Sequence, residues 1–465
     1  MGDRLPFRDL VVVLPGIGGS VLESPAGPLW DPSYGYAGSL LRGHHDLLEA
    51  LAGEPESLDD PEHPGDVTAS RLIGTPVTLP GLAKINQYRA LRKALTDAFD
   101  LVEGDPRDDE GAPANYFEFA YDWRRDNRVS AAQLKQLIDR ELPKWESGLA
   151  SGRAKTVLIC HSMGGLVAKY YLDVLGGWDR CRALITYGTP FRGAIKALSF
   201  LSDGFKLLGL EIRPVTELLR RYTSVYQLLP RYEAIDVDGT RRRLADITHD
   251  LGGLDVARAR RAYEDFHLPL GSPGDARIMP VVGYGHRTLQ SAVLRAAAVT
   301  CGYEALSPEI PGGDGTVPAV SALPVELSEA GPWRFQNNKH SSMHTKATAL
   351  QRLVQTLSLY SGNARSLQNP DDDKVTHQSA IPDGPSVDLR MGDVHLVGEP
   401  VRFECVLSDP SVTEPPRVTM SGTAEVVRTE TGEGYAYTVT GLRPGAYEIA
   451  VNWAGCSVSD VLEVS

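Results

Sequence analysis

One stretch constrains this chain more than any other: Thr156-Val-Leu-Ile-Cys-His-Ser-Met-Gly-Gly165, which runs directly into the helical pattern Leu166-Val-Ala-Lys-Tyr-Tyr171. A short β-favouring run that turns at once into a helix holds the apex residue, Ser162, in a strained conformation, with its hydroxyl above the carboxyl edge of a sheet. So tight a turn demands small residues two positions before and two after the serine. Gly164 meets that demand, and Cys160, small enough to fit, stands where a glycine is usual. The helix that follows aims free backbone N–H groups at any negative charge formed at the serine. A serine that merely caps a helix is the plainer alternative. The strand, the small residues and the helix together favour a nucleophile.

An apex of this kind needs a mostly parallel sheet beneath it, and residues 1–360 supply the pattern. Apolar runs at Leu10–Leu14, Thr156–Ile159, Ala183–Tyr187 and Ile278–Val282 alternate with helical spacing at Tyr88–Phe99, Ala131–Leu142, Leu166–Leu175 and Lys346–Tyr360. The fold class expected is α/β, with helices on both faces of the sheet. Residues 24–80 and 103–114, rich in Pro, Gly and acid, read as surface excursions, the first as a lid insertion. Residues 195–275 read as a mostly helical cap. Residues 361–386 read as a polar linker. From 387 to 465 short alternating segments such as Val401–Cys405, Tyr435–Thr440 and Tyr447–Val451 predict a small immunoglobulin- or fibronectin-III-like β-sandwich. Tyr447 resembles a tyrosine corner, but Ile449 stands where a disulfide cysteine would follow, so Cys405 and Cys456 are expected to remain thiols.

Composition excludes several functions. Lys and Arg number 47 against 60 Asp and Glu, a net charge of −13, and no basic stretch offers a phosphate-binding patch, so nucleic acid is not an expected partner. No apolar run approaches the ~18 residues of a membrane span. The N-terminus MGDRLPFRDL lacks a signal-peptide pattern. Five scattered cysteines show no metal-ligand spacing, and the expectation is a cytoplasmic protein with no metal and no cofactor.

A serine nucleophile needs a base, and the base an orienting acid. Pro311-Gly-Gly-Asp-Gly-Thr-Val-Pro318 offers Asp314 on a glycine-rich loop, where a plain turn aspartate is the alternative. The segment Asn337-Asn-Lys-His-Ser-Ser-Met-His344 offers two histidines. His344 sits at the start of the last helix, whose positive dipole end opposes formation of an imidazolium. His340 is free of that penalty and is preferred, with His344 the alternative and Thr345 the expected helix cap. His161, inside the turn, is expected to brace it. Two backbone donors must face the oxyanion: the N–H of Met163, and one from the loop Leu14-Pro-Gly-Ile-Gly-Gly-Ser20. That loop lacks the lysine a phosphate-cradling loop would carry.

Several motifs together resemble one family, the lecithin:cholesterol acyltransferase-like lipases and acyltransferases of the α/β-hydrolase fold. They are Leu14–Ser20, Phe119-Ala-Tyr-Asp-Trp-Arg124, His161–Gly165, Tyr187-Gly-Thr-Pro190 with Gly193, Gly313-Asp-Gly-Thr-Val-Pro318 and the His340 region, in family order across residues 10 to about 355. The resemblance implies Ser162, Asp314 and His340 as a triad, with Ile17 and Met163 as oxyanion donors. It implies that Trp30, Tyr121, Asp122 and Trp123 lie near the substrate; an Asp122 paired with an arginine in a structural loop is the competing reading. No cysteine precedes Cys160, so the lid disulfide of the secreted animal members has no counterpart.

The reading that follows is a serine acyl hydrolase or acyltransferase acting on ester-linked lipids, of lipase or phospholipase A type. A short-chain esterase or thioesterase is one alternative. A non-catalytic hydrolase-like scaffold that binds a protein partner through its β-sandwich is another. The apolar stripe Ala197–Ile212, including Leu198, Phe200, Leu201, Phe205 and Leu208, reads as cap core, with an acyl pocket or membrane-surface contact as its alternatives. All proposed chemical groups precede Tyr360, so the sandwich is expected to affect localisation or partners more than chemistry.

Overall fold

The computed structural model describes residues 4–31, 45–53, 58, 60, 65–79, 83–150, 153–204, 206–207, 210–247, 251, 253–266, 268, 277–296, 298–305, 312–327, 334–360, 384–409, 411–412, 414–421 and 424–464. Six strands form one parallel sheet: Leu10–Leu14 (β1), Tyr116–Glu118 (β2), Thr156–His161 (β3), Cys181–Tyr187 (β4), Ile278–Gly283 (β5) and Arg334–Gln336 (β6). Their order is β6-β5-β4-β3-β1-β2. Strands β1 and β3 are buried along their whole length. Uninterrupted apolar runs suit a sheet covered on both faces, where alternation would bury polar groups. Register sets Thr156 beside Leu10 and Cys160 beside Leu14, so the loops leaving β1 and β3 emerge side by side. Strand order reverses between these two, which opens a crevice at their carboxyl ends.

Four helices cover the sheet: Arg89–Ala98 (α1), Asn127–Ser147 (α2), Met163–Asp173 (α3) and Ala347–Ser358 (α4). Asp126 caps α2 by accepting from the Arg128 N–H at 2.8 Å. Helix α3 starts at the residue after Ser162 and buries Leu166, Val167, Ala168, Tyr171 and Leu172. The short strand β2 was not expected from sequence; three residues are too few for a period to show.

Among its described residues the cap is mostly helical, with a hairpin that the expectation left out. It holds helices at Ile195–Asp203, Arg213–Leu219 and Val256–Asp265, but Ile235–Val237 and Thr240–Arg242 form a hairpin. That hairpin joins Ser291–Arg295 and Ala298–Gly302 in a four-stranded sheet. Its turn is Asp238-Gly239, with φ of 52° and 82°, the left-handed pair that Asp-Gly favours. In the lid region, Gly27–Trp30 and Thr68–Leu72 flank Ser20–Ser24 in a small antiparallel sheet. Residues 32–44 of the lid, 361–383 of the linker, and Phe205 and Leu208 of the apolar stripe lie outside the described residues. Leu198, Phe200 and Leu201 are buried in the cap.

Two four-stranded sheets make up the C-terminal region. Val387–Met391 (β7), Val401–Leu407 (β9), Glu425–Thr431 (β11) and Gly434–Thr440 (β12) form one, in the order β7-β9-β12-β11. Val394–His395 (β8), Arg417–Met420 (β10), Gly445–Trp453 (β13) and Cys456–Val464 (β14) form the other, in the order β8-β14-β13-β10. Val401, Phe403, Ile449, Val451 and Trp453 belong to a hydrophobic core separate from that of residues 7–357. Cys405 and Cys456 are free thiols. The Tyr447 hydroxyl donates to the Arg443 carbonyl at 2.9 Å, as a tyrosine corner does.

Candidate active site

Ser162 stands between β3 and α3 with φ 53° and ψ −127°, a conformation that L-residues other than glycine rarely adopt. The surrounding structure imposes it. The Ser162 N–H donates to the Tyr187 carbonyl at 2.9 Å, and its carbonyl accepts from the Gly165 N–H and the Thr189 hydroxyl. A side chain at Gly164 would place its Cβ 2.4 Å from the Pro15 carbonyl oxygen, so the loop after β1 passes directly beneath the turn.

The Ser162 hydroxyl donates to His340 Nε2 at 2.8 Å, and the His340 Nδ1–H donates to Asp314 Oδ2 at 2.8 Å. Asp314 Oδ1 accepts from the Thr316 and Val317 N–H groups at 2.9 and 2.7 Å, which fixes the carboxylate plane. The His340 N–H closes the link by donating to the Asp314 carbonyl at 2.9 Å. All three side chains are nearly buried, with Ser162 6 % exposed. Gly188, at φ +58°, lies against this pair; a Cβ there would meet Asp314 Oδ2 at 2.8 Å and His340 Nδ1 at 2.9 Å.

A second hydrogen-bonded line runs beside the first. The Gly16 N–H donates to the Tyr88 hydroxyl at 2.9 Å, which donates to His161 Nδ1 at 3.0 Å. The His161 Nε2–H then donates to the His340 carbonyl at 2.9 Å. Burial, then His344 and His340, push His161 well below its usual pKa, so it stays neutral. Burial raises the Tyr88 phenol, so it stays protonated. His161 thus ties the loop after β1 to the loop of His340. Sequence reading placed His161 as a brace but missed Tyr88, whose partners lie 72 and 73 residues away.

His344 is neither exposed nor a cap. It is 1 % exposed, stacks on Tyr88 with ring centroids 4.6 Å apart, and donates from Nε2 to the Asn86 carbonyl at 3.2 Å. Burial lowers its pKa to about 3. The cap of α4 is Lys346, while the Thr345 hydroxyl turns back to the Ser342 carbonyl at 3.1 Å.

Met163 opens α3, where its N–H lacks an intrahelical acceptor by geometry. Ile17, Ser162, Lys196, Leu228, Val317 and His340 line a cavity of about 20 Å³, the space of roughly one water. Trp30, Tyr121, Asp122 and Trp123, expected near the substrate, are buried, and their polar atoms have protein partners. The Trp30 indole donates to the Gly18 carbonyl, the Tyr121 hydroxyl to the Pro15 carbonyl, and the Trp123 indole to the Ser20 carbonyl, at 2.9, 2.9 and 3.3 Å. Asp122 pairs with the buried Arg124 at 2.7 Å. Trp30, Tyr121 and Trp123 buttress the loop that carries Ile17, and Asp122 has the paired arginine of the competing reading. Among the described residues, no group of His, Cys, Asp and Glu is arranged to hold a metal ion, and no helix is long and apolar enough to cross a membrane.

Residues 111–247 match the model of the lecithin:cholesterol acyltransferase family. The matched span holds Tyr121–Arg124, Ser162 and the Tyr187–Pro190 loop, and ends before Asp314 and His340. No curated protein matches the chain. Among solved structures, the mature Bacillus licheniformis lipase BlEst2 is 12% identical, with 77% of this chain and 95% of that one covered and a TM-score of 0.33. The Vlm2 thioesterase domain is 14% identical over 77% and 97%, with a TM-score of 0.26. The Lin-41 filamin domain is 15% identical over 18% of this chain and 98% of that one, with a TM-score of 0.16.

Proposed function

We propose that this protein is a serine acyl hydrolase or acyltransferase acting on ester-linked lipids, of lipase or phospholipase A type, through an acyl-enzyme. The observation that carries the reading is the relay from Ser162 through His340 to Asp314, two hydrogen bonds of 2.8 Å each. Attack of the Ser162 oxygen on an ester carbonyl passes the hydroxyl proton to His340 Nε2. Asp314, already accepting at Nδ1, stabilises the imidazolium. The N–H groups of Ile17 and Met163 are the donors we assign to the oxyanion. Collapse of the tetrahedral intermediate breaks the ester C–O bond, and His340 returns its proton to the departing alkoxide. Water or an alcohol then attacks the acyl-enzyme by the same route and frees Ser162. The family match supports acyl transfer on lipid esters. The proposal includes two folding units, residues 1–360 and 387–465, supported by their separate cores, and a cytoplasmic setting, supported by five free thiols.

Ser162→Ala is expected to remain folded and to lose ester turnover by a factor on the order of 10⁶ in kcat. A fluorophosphonate probe should label the wild-type protein and leave the variant unlabelled. Labelling at another residue, or unchanged turnover in the variant, would sink the reading.

A further inference from the structure

Strand β14 of the sandwich lies against the loop that carries His340. The Ser341 hydroxyl donates to Asp460 Oδ1 at 2.9 Å, and the Ser342 hydroxyl donates to the Ser459 carbonyl at 2.7 Å. The Val387 N–H donates to Asn337 Oδ1 at 3.2 Å. Lys84 is buried between Asp460 at 3.0 Å and Asp393 at 3.2 Å. It sits two residues before Asn86, whose N–H donates to the Ser341 carbonyl at 3.0 Å. Burial alone would lower the Lys84 pKa, but the two aspartates overcome it and raise it, so the ammonium persists. The residue immediately after His340 is therefore held from both sides, by the sandwich through its hydroxyl and by the Asn86 backbone through its carbonyl.

We propose that the C-terminal sandwich is a positioning element for His340, with Asp460 acting through Ser341. The inference rests on the role given to His340 above. The carboxylate of Asp460 orients Ser341 and is itself anchored by Lys84, so the imidazole is carried on a loop fixed at the positions that follow it. A misplaced base costs turnover rather than substrate affinity.

The test compares Ser341→Ala, Ser341→Thr and Asp460→Asn in the full chain on a soluble short-chain ester. Ser341→Ala and Asp460→Asn are expected to lower kcat about tenfold with KM unchanged, and to slow fluorophosphonate labelling in parallel. Ser341→Thr, which keeps the hydroxyl, should restore kcat. Where Asp460→Asn fails to fold, the Ser341 pair decides. Unchanged kcat in folded Ser341→Ala overturns the positioning role, even if Ser162→Ala is inert. Full turnover in Ser162→Ala overturns the reading of the site itself.

A separate observation carries a second inference. A cavity of about 610 Å³, within the size range of small-molecule sites, lies between the cap and the loop after β4, lined by Phe191, Arg192, Arg231, Tyr232, Tyr263 and Leu268 among others. The Arg231 guanidinium lies 4.9 Å from the Tyr263 ring centroid and donates to the Phe266 carbonyl at 2.6 Å. Among the described residues no carboxylate pairs with it, and burial lowers its pKa. The neighbouring Tyr232 hydroxyl is buried with no hydrogen-bond partner. A part-buried cation without a counter-ion and a buried donor without an acceptor are each costly unless a ligand satisfies them.

We infer that this cavity binds an anionic group joined to an apolar body, with Arg231 and Tyr232 on the anion. Calorimetric titration with laurate, dodecyl phosphate and neutral dodecanol tests it and separates carboxylate from phosphate. At least one anion is expected to bind about tenfold tighter than dodecanol, and Arg231→Gln to remove that advantage. Tyr232→Phe should weaken the same anion severalfold, and decides the matter where Arg231→Gln does not fold. Equal binding of dodecanol, no binding of either anion, or unchanged affinity in the folded variants overturns the inference.

Discussion

Ser162 and His340 share one hydrogen bond, yet two different kinds of structure hold them. The turn of Ser162 is set by its own strand and helix, the loop after β1 and the end of the neighbouring strand β4. Its φ of 53° is enforced by backbone bonds to Tyr187 and Gly165. The loop of His340 is held by distant partners: His161 on its carbonyl, Asn86 on the next residue, and Ser459 and Asp460 more than a hundred residues on. Neighbouring strands of the sheet fix Ser162, whereas contacts from distant segments fix His340. Perturbations far along the chain should therefore reach His340 before they reach Ser162.

The widest break in that asymmetry comes from removing the sandwich. A chain ending at Tyr360 leaves the Ser341 hydroxyl without Asp460, the Ser342 hydroxyl without Ser459, and Lys84 without either aspartate. Loss of one partner of a buried ion pair costs on the order of 3–5 kcal/mol. We expect ester turnover to fall by about a hundredfold or more, with hydrogen exchange rising first in residues 337–342 while the β3–α3 turn stays protected. This outcome runs against the sequence-based expectation that the sandwich affects localisation or partners more than chemistry. Full activity in the shortened chain would restore it.

Gly164→Ala attacks the other half. The added Cβ would lie 2.4 Å from the Pro15 carbonyl oxygen and 3.0 Å from Leu14 Cβ, both on the β1 strand or its loop. Overpacking of this kind costs about 1–3 kcal/mol. Thermal unfolding should show that loss, and labelling of Ser162 should slow because the loop that carries Ile17 is displaced. If melting and labelling both match wild type, the turn is more compliant than the contacts indicate.

The same contrast explains what could be read from sequence. The run Thr156–Gly165 announces its strand, its turn and its helix because each depends on neighbours a few residues away. Asp314 and His340 were legible as residue types in a favourable chain order, and the structure brings both within 2.8 Å of their partners. Tyr88, Lys84 and Asp460 carried no signal, since nothing local distinguishes a tyrosine that spans two loops from one that fills a core. The cap hairpin did carry one: Asp238-Gly239 is the dipeptide that this turn favours, outweighed by the apolar helices around it. Trp30, Tyr121 and Trp123 were placed beside the substrate because their motif neighbours the site. Their polar atoms donate to backbone carbonyls of the loop that carries Ile17.

Acid should act on the histidine cluster before it acts on Ser162. His344, held at about 3 by burial, has an unfolded value near 6.5. Between those values the unfolded chain takes up the proton and the folded one does not, so stability present above pH 6.5 drains away as pH falls toward 3. His161, also pushed down by burial, adds to the same slope. By pH 5 the His344 contribution lost is about 2 kcal/mol. His344→Gln should flatten the fall in melting temperature between pH 7 and 5. An unchanged slope would mean that His344 is protonated in the folded state.

The smallest expected effect lies at Tyr447, on the strand β13 beside β14. The Tyr447 hydroxyl bonds the Arg443 carbonyl on an exposed turn, and neither residue contacts the His340 loop through a hydrogen bond or ion pair among the described residues. Tyr447→Phe removes one hydrogen bond, a loss of about 1 kcal/mol at most in a partly solvated position. If the sandwich influences catalysis only through β14, that loss should appear in urea unfolding and leave kcat and KM unaltered. A fall in kcat in this variant, at unchanged KM, would mean that the two sheets transmit strain as one body. The positioning role would then belong to the sandwich as a whole rather than to the Ser341–Asp460 contact.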